Sequence, residues 1–464
     1  MNNAFQELMQ IRNRSEDPNA VITGQDPVFS TRFKVAEMAA SILAANGVAV
    51  SDIWQMKTGR RQQVSVDVRH AAAAVSSSDH LEFRQPDGGY RAMEDSPAAQ
   101  AAYGTIIPYP TKDGRLFMPH FGIKHLKETV LGILDCDFDT QSIGKAVAKW
   151  DAEELDQTIA AANACGGIVR TRDEWRAHPH GQALSAQAVV EIEKIGDSDP
   201  EPFPEAGPPL AGVRVLDLTR ILAGPVAART LGEYGADILM VAARHTPQIK
   251  KFVIDLSHGK RSCFLDIGDK QDAAQLKQLV REGDVFSQGY RPGVLEARGF
   301  GPEELAAHRP GLIYTSINCY GSGGPFSDRG GWEQIAQTVT GLSHENAEFP
   351  ELLPVYICDY STGYLGAYGT LLALARRAEE GGSYHVKVSL CQSAMLLQRQ
   401  ERVEYPHAGM GLSAAEIAPL QMRSETSYGS LRHLGPVIRY SETDPHWPGP
   451  SCALGGHKAE WLAA

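Results

Sequence analysis

Hydrophobic and polar positions are most regular in the second half of the chain. From residue 211, AGVRVLDLTRILAGPVAARTLGEYGADILMV runs from a short β-branched strand through apolar positions at helical spacing to a second strand over 236–241. The alternation continues with strands predicted at 262–267, 284–288 and 312–318 and a helix at 272–281. Strands that alternate with helices predict a parallel sheet covered on both faces.

The first half has a different pattern. Residues 104–119, GTIIPYPTKDGRLFMP, predict a hairpin whose turn is Lys112-Asp113-Gly114, and helical spacing follows over 124–134 and 151–163. This indicates a smaller α+β unit. Residues 1–30 show no clear periodicity and are predicted to form a loosely attached arm.

Residues 196–209, GDSDPEPFPEAGPP, separate the two halves. The stretch is rich in proline and acidic residues and has neither helical nor strand spacing, which is typical of an extended linker.

Residues 40–73 and 366–394 resemble each other. Each runs from a small-residue helix through a glycine, Gly59 or Gly381, into an alternating strand that contains Val64 or Val386. Any helix, glycine turn and strand look alike, so chance similarity is one explanation. Partial duplication is the other.

Composition excludes several classes of protein. Hydrophobic residues make up 43% of the 464, and the formal charge of −12 with a pI of about 5.7 argues against nucleic acid as a partner, although a local basic pocket stays possible. No apolar run reaches about 18 residues, so a soluble, cytoplasmic protein without a membrane span is expected. The seven cysteines form no CxxC or Cys/His cluster and predict buried thiols rather than disulfides or a metal site.

Basic and small residues follow or precede several predicted strands. Arg220 and the turn Ala223-Gly224-Pro225 lie where the first strand meets its helix, and small residues there let backbone N–H groups approach an anion. The turn could also serve only close packing. Lys260-Arg261 before one strand and Arg291 after another are either surface charges or part of the same anion site.

Two carboxylates are the strongest candidates for chemistry. Glu333 lies in GGWEQIAQTVTG, and Asp359 follows an apolar, strand-like run over 353–358 and precedes a predicted helix. Asp359 is either a helix cap or, if desolvated beside an electrophile, a nucleophile that forms acyl intermediates. Motifs of serine hydrolases, phosphate-binding loops and zinc proteases are missing.

In order and spacing, these motifs resemble the family III CoA-transferases, the CaiB/BaiF family. The resemblance is strong over 208–395, through VRVLDLTRILAGP, GKRSCFLDI, GYRPGVLEARGFGPEEL, GGWEQIAQTVTGL and CDYSTGYLGAYGTLLALARR. PYPTKDGRLFMP and NACGGIVRTRDEWRAHPHGQAL resemble the family's small domain, and LGPVIRYSETDPHWPGPSCALGGH resembles its closing segment. The small-domain-like block here precedes the large domain, as in a rearranged or partly duplicated member.

The resemblance implies an α/β fold with a doubly wound, mostly parallel, Rossmann-like large domain and a smaller α+β domain. The expected organisation is an arm (1–30), a small-domain-like block with the repeated helix–strand segment (31–195), a linker (196–209), the large domain (210–400), and a closing segment that returns to it (401–464). Family members pair as interlocked rings, so a homodimer is expected. The sequence leaves open whether the block completes its own cleft or a partner's.

The family's nucleophile matches Asp359 and its helical carboxylate matches Glu333. By resemblance, coenzyme A is held by residues at the first turn and by cations at later strands: Arg220, Leu222, Ala223, Gly224, Pro225, Lys260, Arg261 and Arg291. Two features depart from the family. Met240 and Ala242 replace residues that are usually charged, and the family's glycine-rich loop has no counterpart between Gln400 and Arg432.

The implied activity is CoA transfer from an acyl-CoA to a small carboxylic acid, through an aspartyl anhydride and an enzyme–CoA thioester. CoA and acyl-CoA are substrates, and no tightly bound cofactor is expected. Racemases of the family use a histidine where this chain has Trp332, which disfavours racemase chemistry. The alternatives are an acyl-CoA lyase, hydratase or isomerase, or an inactive CoA-binding scaffold.

Overall fold

Strands and helices alternate along most of the chain in the computed structural model, which describes residues 3–13, 17, 19–94, 96–404 and 411–462. The strands are β1 (Ala20–Thr23), β2 (Val64–Asp67), β3 (Glu82–Arg84), β4 (Tyr90–Ala92), β5 (Tyr109–Pro110), β6 (Leu116–Pro119), β7 (Gly166–Ile168), β8 (Glu191–Gly196), β9 (Arg214–Leu218), β10 (Asp237–Ala242), β11 (Lys260–Phe264), β12 (Val285–Gln288), β13 (Ile313–Asn318), β14 (Ser383–Ser389), β15 (Gln421–Thr426), β16 (Gly429–Leu434) and β17 (Arg439–Tyr440).

The helices are α1 (Asn3–Ile11), α2 (Val35–Thr58), α3 (Val68–Ala74), α4 (Pro97–Thr105), α5 (Lys124–Leu134), α6 (Thr140–Val147), α7 (Ala152–Ala161), α8 (Arg172–Ala177), α9 (Pro179–Ser185), α10 (Ala223–Gly232), α11 (Lys250–Leu256), α12 (Lys270–Arg281), α13 (Pro302–His308), α14 (Glu333–Thr340), α15 (Leu342–Asn346), α16 (Ile357–Glu380), α17 (Leu390–Arg399) and α18 (Ala414–Ile417). Short 3-10 turns lie at Ser77–His80, Glu296–Arg298 and Ala418–Leu420.

A seven-stranded sheet dominates the molecule. Its order is β11-β10-β9-β12-β13-β14-β8, and every pair is parallel except β14 with β8. The central strands are buried on both faces, as their β-branched and apolar residues predict. The prediction of an α/β fold built on a mostly parallel sheet is confirmed.

The core joins the two halves of the chain. α16 packs against α10 and against α2, which comes from the first half. Nearly all of α2 is buried, and its residues belong to the same hydrophobic cluster as those of the large sheet. Residues after Gly196 carry no helix or strand until β9 but do not separate two cores.

α1 is packed more closely than the loose arm predicted over residues 1–30. Ala4, Phe5, Leu8 and Met9 form one buried face of α1, and the hydroxyl of Tyr368 donates to the carbonyl of Leu8 over 2.7 Å. Helical spacing over so few residues was too short a signal to register in the sequence.

Residues 106–168 surround a smaller hydrophobic cluster of their own. β5 and β6 form the predicted antiparallel hairpin around Lys112–Gly114, and β7 adds a third strand. α5 has the bounds predicted from its spacing, and α7 lies within the helix predicted over 151–163. α6 and α7 pack against this sheet, and α5 packs against both helices.

The two similar segments adopt the same structure. α2 and α16 are both 24 residues long and end at a glycine with positive φ, Gly59 or Gly381. Asp67 and Ser389 cap the next helix at the same interval after that glycine. The detail favours partial duplication over chance similarity.

The last described residues return to the large sheet. β17 pairs with β2, and further on the indole N–H of Trp461 donates to the carbonyl of Leu279 in α12. Six of the seven cysteines are buried and all are free, as predicted. Within the described residues, no helix is long and apolar enough to cross a membrane, and no group of three or more His, Cys, Asp or Glu could hold a metal ion.

Candidate active site

A cavity of about 520 Å³ opens at the carboxyl ends of the parallel strands. It lies where the strand order reverses, since β10 and β11 extend the sheet from β9 in one direction and β12 to β14 extend it in the other. Such a position leaves a crevice between the connections and is the usual ligand site of open parallel sheets. The lining residues from these strand ends are Leu218, Arg220, Ile221, Leu222, Ala223, Gly224, Gly289, Tyr290, Arg291, Ile317, Asn318 and Cys319.

The opposite wall comes from the first half of the same chain. It consists of Ile123, His125, Leu126, Thr129, Ala162, Asn163 and Cys165. The block before the linker therefore lines the cleft of its own chain.

Glu333 is buried and holds the beginning of α16. The predicted strand over 353–358 is wrong: the run is irregular and the helix begins at Ile357, because its first N–H groups find a partner in Glu333. The N–H of Cys358 donates to Oε1 of Glu333 over 3.1 Å, and that of Asp359 donates to Oε2 over 2.6 Å. These groups have no partner within the helix, so a side chain from α14 caps α16.

Asp359 lies in the first turn of α16 and faces the start of α10. The nearby N–H of Ala223 favours the ionised form of the Asp359 carboxylate and so lowers its pKa. The close approach requires Gly363, because a Cβ there would lie 2.4 Å from the carbonyl oxygen of Ala223. Asp359 is thus not the cap of its own helix, which was the alternative interpretation of its sequence position.

Ile221 has a φ of 71°, a strained conformation for a β-branched residue. Strain of this kind costs about 1–3 kcal/mol and collects at functional sites. It turns the chain directly before Leu222 and Ala223, so that the N–H groups beginning α10 face Asp359. No pattern in the sequence indicated it.

The two carboxylates have raised pKa values. Burial raises the pKa of Asp359 well above its usual range, the nearby charge of Glu333 raises it further, and the N–H of Ala223 opposes the shift. Burial also raises the pKa of Glu333, although the amide of Gln337 and two backbone N–H groups favour its ionised form. Glu333 accepts more hydrogen bonds, so Asp359 is the partner that is protonated first.

Of the predicted cations, Arg220 and Arg291 line the cavity. Arg220 is exposed and makes no hydrogen bond or ion pair with any described residue, so its guanidinium can receive an anion. Arg291 donates to the side chain of Asn163 over 2.7 Å and to its carbonyl over 2.8 Å. It therefore joins the loop after β12 to the opposite wall.

Lys260 and Arg261 do not reach the cavity, and their assignment to the CoA site is corrected. β11 begins at Lys260, earlier than predicted, so both residues lie at the amino end of the strand. The buried ammonium of Lys260 donates to Asp217 and to the carbonyl of Pro225, each over 2.9 Å. Arg261 pairs with Asp237. Lys260 thus supports the first turn of α10 from behind.

A second, smaller cavity adjoins the first at Asp359, and the sequence did not indicate it. His120 lies in its wall with its ring stacked on Trp332 at a centroid distance of 5.0 Å. The two side chains are more than two hundred residues apart, so only the fold reveals the pair. Burial lowers the pKa of His120 to about 4, which keeps it neutral.

Met240 and Ala242 are buried at the end of β10 and line neither cavity. Part of the segment without a glycine-rich loop, residues 405–410, lies outside the described residues.

The sequence matches the family described as CoA-transferase family III over residues 210–429. An acyl-CoA transferase of Gibberella moniliformis is 31% identical over 85% of this chain and 82% of its own length. The acetyl-coenzyme A transferase nodX of Hypoxylon pulicicidum is 34% identical over 89% of this chain and 76% of its own length. These alignments extend well before residue 210, so much of the N-terminal block is shared with both relatives.

Among solved structures, a CaiB/BaiF family protein of Brucella suis is 27% identical over 48% of this chain and 65% of its own, with a TM-score of 0.39.

Proposed function

The chain belongs to family III of the CoA-transferases, and on that premise we propose that it moves CoA from an acyl-CoA to a free carboxylic acid through covalent intermediates on Asp359. One observation carries the proposal. The carboxylate of Asp359 lies at the junction of two cavities, desolvated and beside the first N–H of α10, while its backbone is held by Glu333.

The exchange takes four acyl transfers. The Asp359 carboxylate attacks the thioester carbonyl and forms a mixed anhydride as the C–S bond breaks and CoA thiolate leaves. The thiolate attacks the aspartyl carbonyl, releasing the donor acid and leaving CoA as a thioester on Asp359. The acceptor carboxylate then expels the thiolate to form a second anhydride, and the thiolate attacks the acceptor's carbonyl, regenerating Asp359. No proton is gained or lost overall.

Desolvation supports the nucleophilic role of Asp359. The burial that raises its pKa also leaves its anion poorly solvated, so the carboxylate has less hydration to lose on attack. The N–H groups of Ala223 and Gly224 begin α10 and have no partners within the helix. They are the proposed donors to the oxyanion that develops on the attacked carbonyl.

The large cavity is the proposed site of CoA. Arg220 has a free guanidinium at its mouth and would pair with phosphate, while the turn through Leu222, Ala223, Gly224 and Pro225 would line the path of the pantetheine arm. Family resemblance supports a homodimer, and the free, mostly buried thiols support a reducing compartment, the cytoplasm.

The alternatives have less support from the site. A lyase, hydratase or isomerase needs a free acid–base group near the acyl chain, and His120 has both nitrogens engaged by Gly122 and Gln334. A scaffold without catalytic activity would not need the buried carboxylate of Asp359. Burial and the nearby charge of Glu333 make its ionised form unfavourable.

Intact-protein mass spectrometry tests the proposal. The wild-type protein, incubated with short acyl-CoAs, should gain an acyl or CoA adduct that maps to Asp359 and is removed by hydroxylamine. Asp359→Ala should give no adduct and no exchange, whereas Glu351→Gln, which changes an exposed carboxylate nearby, should behave as wild type. Exchange that survives in Asp359→Ala would show that the covalent route is wrong.

A further inference from the structure

The second cavity lies beyond Asp359 as seen from the large one. It encloses about 40 Å³, and both cavities include Ile221, Leu222, Trp332 and Asp359 in their walls. A single water molecule needs about 10–15 Å³ of cavity volume, so the small cavity has room for about three or four non-hydrogen atoms. Anything covalently attached at Asp359 can extend into it.

Rigid aromatic groups form its walls. The ring of Trp332 stacks on His120 with an interplanar angle of 11°, and Phe252 meets Tyr356 edge to face at a centroid distance of 5.9 Å. Gly122 permits this packing, because a Cβ there would lie 2.7 Å from Cε1 of His120. Packed rings have few alternative rotamers, so enlarging the cavity to hold a longer acyl chain would cost free energy.

Gln334 supplies a polar group in this wall. Nδ1 of His120 accepts from the N–H of Gly122 over 3.4 Å, so Nε2 carries the proton of the neutral ring. Nε2 then donates to Oε1 of Gln334 over 3.2 Å, which fixes the orientation of the amide. The amide nitrogen of Gln334 has no partner among the described residues and can donate to a ligand oxygen.

The charge of the wall excludes a second anion. Within the described residues, no lysine or arginine lines this cavity, whereas Glu333 and Asp359 both do. A carboxylate at the far end of an acyl chain would be desolvated beside two acidic groups, without a cation to pair with.

We propose that the small cavity holds the acyl group during transfer and selects short, uncharged acyl groups with a hydroxyl or keto oxygen within reach of the Gln334 amide. The inference rests on the proposed function, because the acyl carbonyl must lie at Asp359. The 3-hydroxybutyryl group has four non-hydrogen atoms beyond its carbonyl, one of them such an oxygen. Hexanoyl and succinyl groups each have five, and succinyl is also charged.

Four thioesters test the selection: 3-hydroxybutyryl-, butyryl-, hexanoyl- and succinyl-CoA, each with acetate as acceptor. The hydroxylated donor should exceed butyryl-CoA in kcat/KM by about tenfold or more, because the amide of Gln334 is left unpaired by the plain chain. Hexanoyl- and succinyl-CoA should fall about a hundredfold below butyryl-CoA. If hexanoyl-CoA or succinyl-CoA has the same kcat/KM as butyryl-CoA, the inference is wrong.

Two variants assign the effect to the cavity. Gln334→Met keeps the length of the side chain but removes the donor, and should bring the ratio of 3-hydroxybutyryl- to butyryl-CoA activity close to one. Gln271→Met, on the exposed face of α12, should keep the wild-type ratio. Phe252→Ala should raise the ratio of hexanoyl- to butyryl-CoA activity about tenfold. An unchanged ratio in Gln334→Met contradicts the assignment whatever Phe252→Ala does.

Adduct formation on Asp359 separates the two levels of the proposal. If the four thioesters all label Asp359 at equal rates, covalent transfer stands and the acyl selection is wrong. If none of them labels it, the proposed function itself fails and the selection with it.

Discussion

Glu333 holds Asp359 through the backbone rather than through the side chain. The N–H of Asp359 donates to Oε2 of Glu333 over 2.6 Å, whereas the N–H of Ala223 is the group that favours the ionised carboxylate of Asp359. One carboxylate therefore positions the helix that carries the other, and at the same time its negative charge raises the other's pKa.

Glu333→Gln should move the acidic limb of the pH profile. Transfer requires ionised Asp359, so kcat/KM should rise as pH increases through the pKa of that group. Removing the neighbouring charge lowers this raised pKa, and the limb should move to lower pH by about one unit. Measuring kcat/KM against pH for wild type, Glu333→Gln and the exposed control Glu351→Gln checks this. If the acidic limb of the profile lies at the same pH in Glu333→Gln and in wild type, the charge of Glu333 does not affect the pKa of the titrating group.

Gly363→Ala should separate α16 from α10. The added Cβ would lie 2.4 Å from the carbonyl oxygen of Ala223 and 2.6 Å from Cβ of Val226, so the helix must shift. A displacement of about 1 Å at a catalytic group costs about a hundredfold in kcat/KM. Gly132→Ala, in α5 with open space around its Cβ, should keep full activity and gain about 0.5–1 kcal/mol of stability. Equal activity of the two variants would contradict the close-contact argument.

Arg220→Ala should weaken binding of acyl-CoA. Loss of an exposed cation that pairs with phosphate should raise KM about tenfold, and the difference from wild type should shrink as salt screens the interaction. Steady-state kinetics at low and high ionic strength check this. Arg84→Ala, at an exposed arginine in β3, is the matched control, and a salt-independent defect at Arg220 would point to a structural role instead.

Asp255→Ala should destabilise the junction between the two halves. Asp255 is buried, pairs with Arg229 over 3.3 Å and accepts from the hydroxyl of Ser77 over 2.6 Å. Removing it leaves the buried guanidinium without its counter-charge, which costs about 3–5 kcal/mol of unfolding free energy. Denaturant titrations compare it with Glu348→Ala, an exposed carboxylate whose loss should change the free energy by less than about 0.5 kcal/mol.

Specific activity should be independent of protein concentration. Both walls of the large cavity come from one chain, so dissociation of any dimer leaves each site complete. Transfer assayed over about a thousandfold dilution, together with light scattering, should give constant activity even where the protein is monomeric. A loss of activity that follows dissociation would mean that a second chain contributes to the site.

The sequence predicted the elements whose signal is local. Strand and helix spacing after residue 210 predicted the parallel sheet. Arg220 and the turn Ala223–Pro225 were predicted to lie in one site because they are close in the sequence. Asp359 and Glu333 were selected from their motifs, and the structure brings both to the wall of the small cavity. Their distance and orientation have no local signal in the sequence, and their catalytic roles stay predictions.

The errors and omissions concern tertiary contacts. The apolar run over 353–358 resembles a strand, but Glu333 from another helix supplies the cap that starts α16 at Ile357. Lys260 was predicted to lie before the strand and to bind CoA. The strand begins at Lys260 instead, and the ammonium is buried against Asp217. His120 carries no local signal at all, since its partners Trp332 and Gln334 follow two hundred residues later.

The paired helices α2 and α16 also bear on how this chain can evolve. Glu37 occupies in α2 the position of Asp359 in α16, and its N–H donates to Asp26 over 2.8 Å much as that of Asp359 donates to Glu333. In a symmetric dimer every substitution appears in both copies at once. Here α2 and α16 lie in one chain, so a substitution in one helix leaves the other unchanged: Glu37 pairs with Lys34, whereas Asp359 lines both cavities.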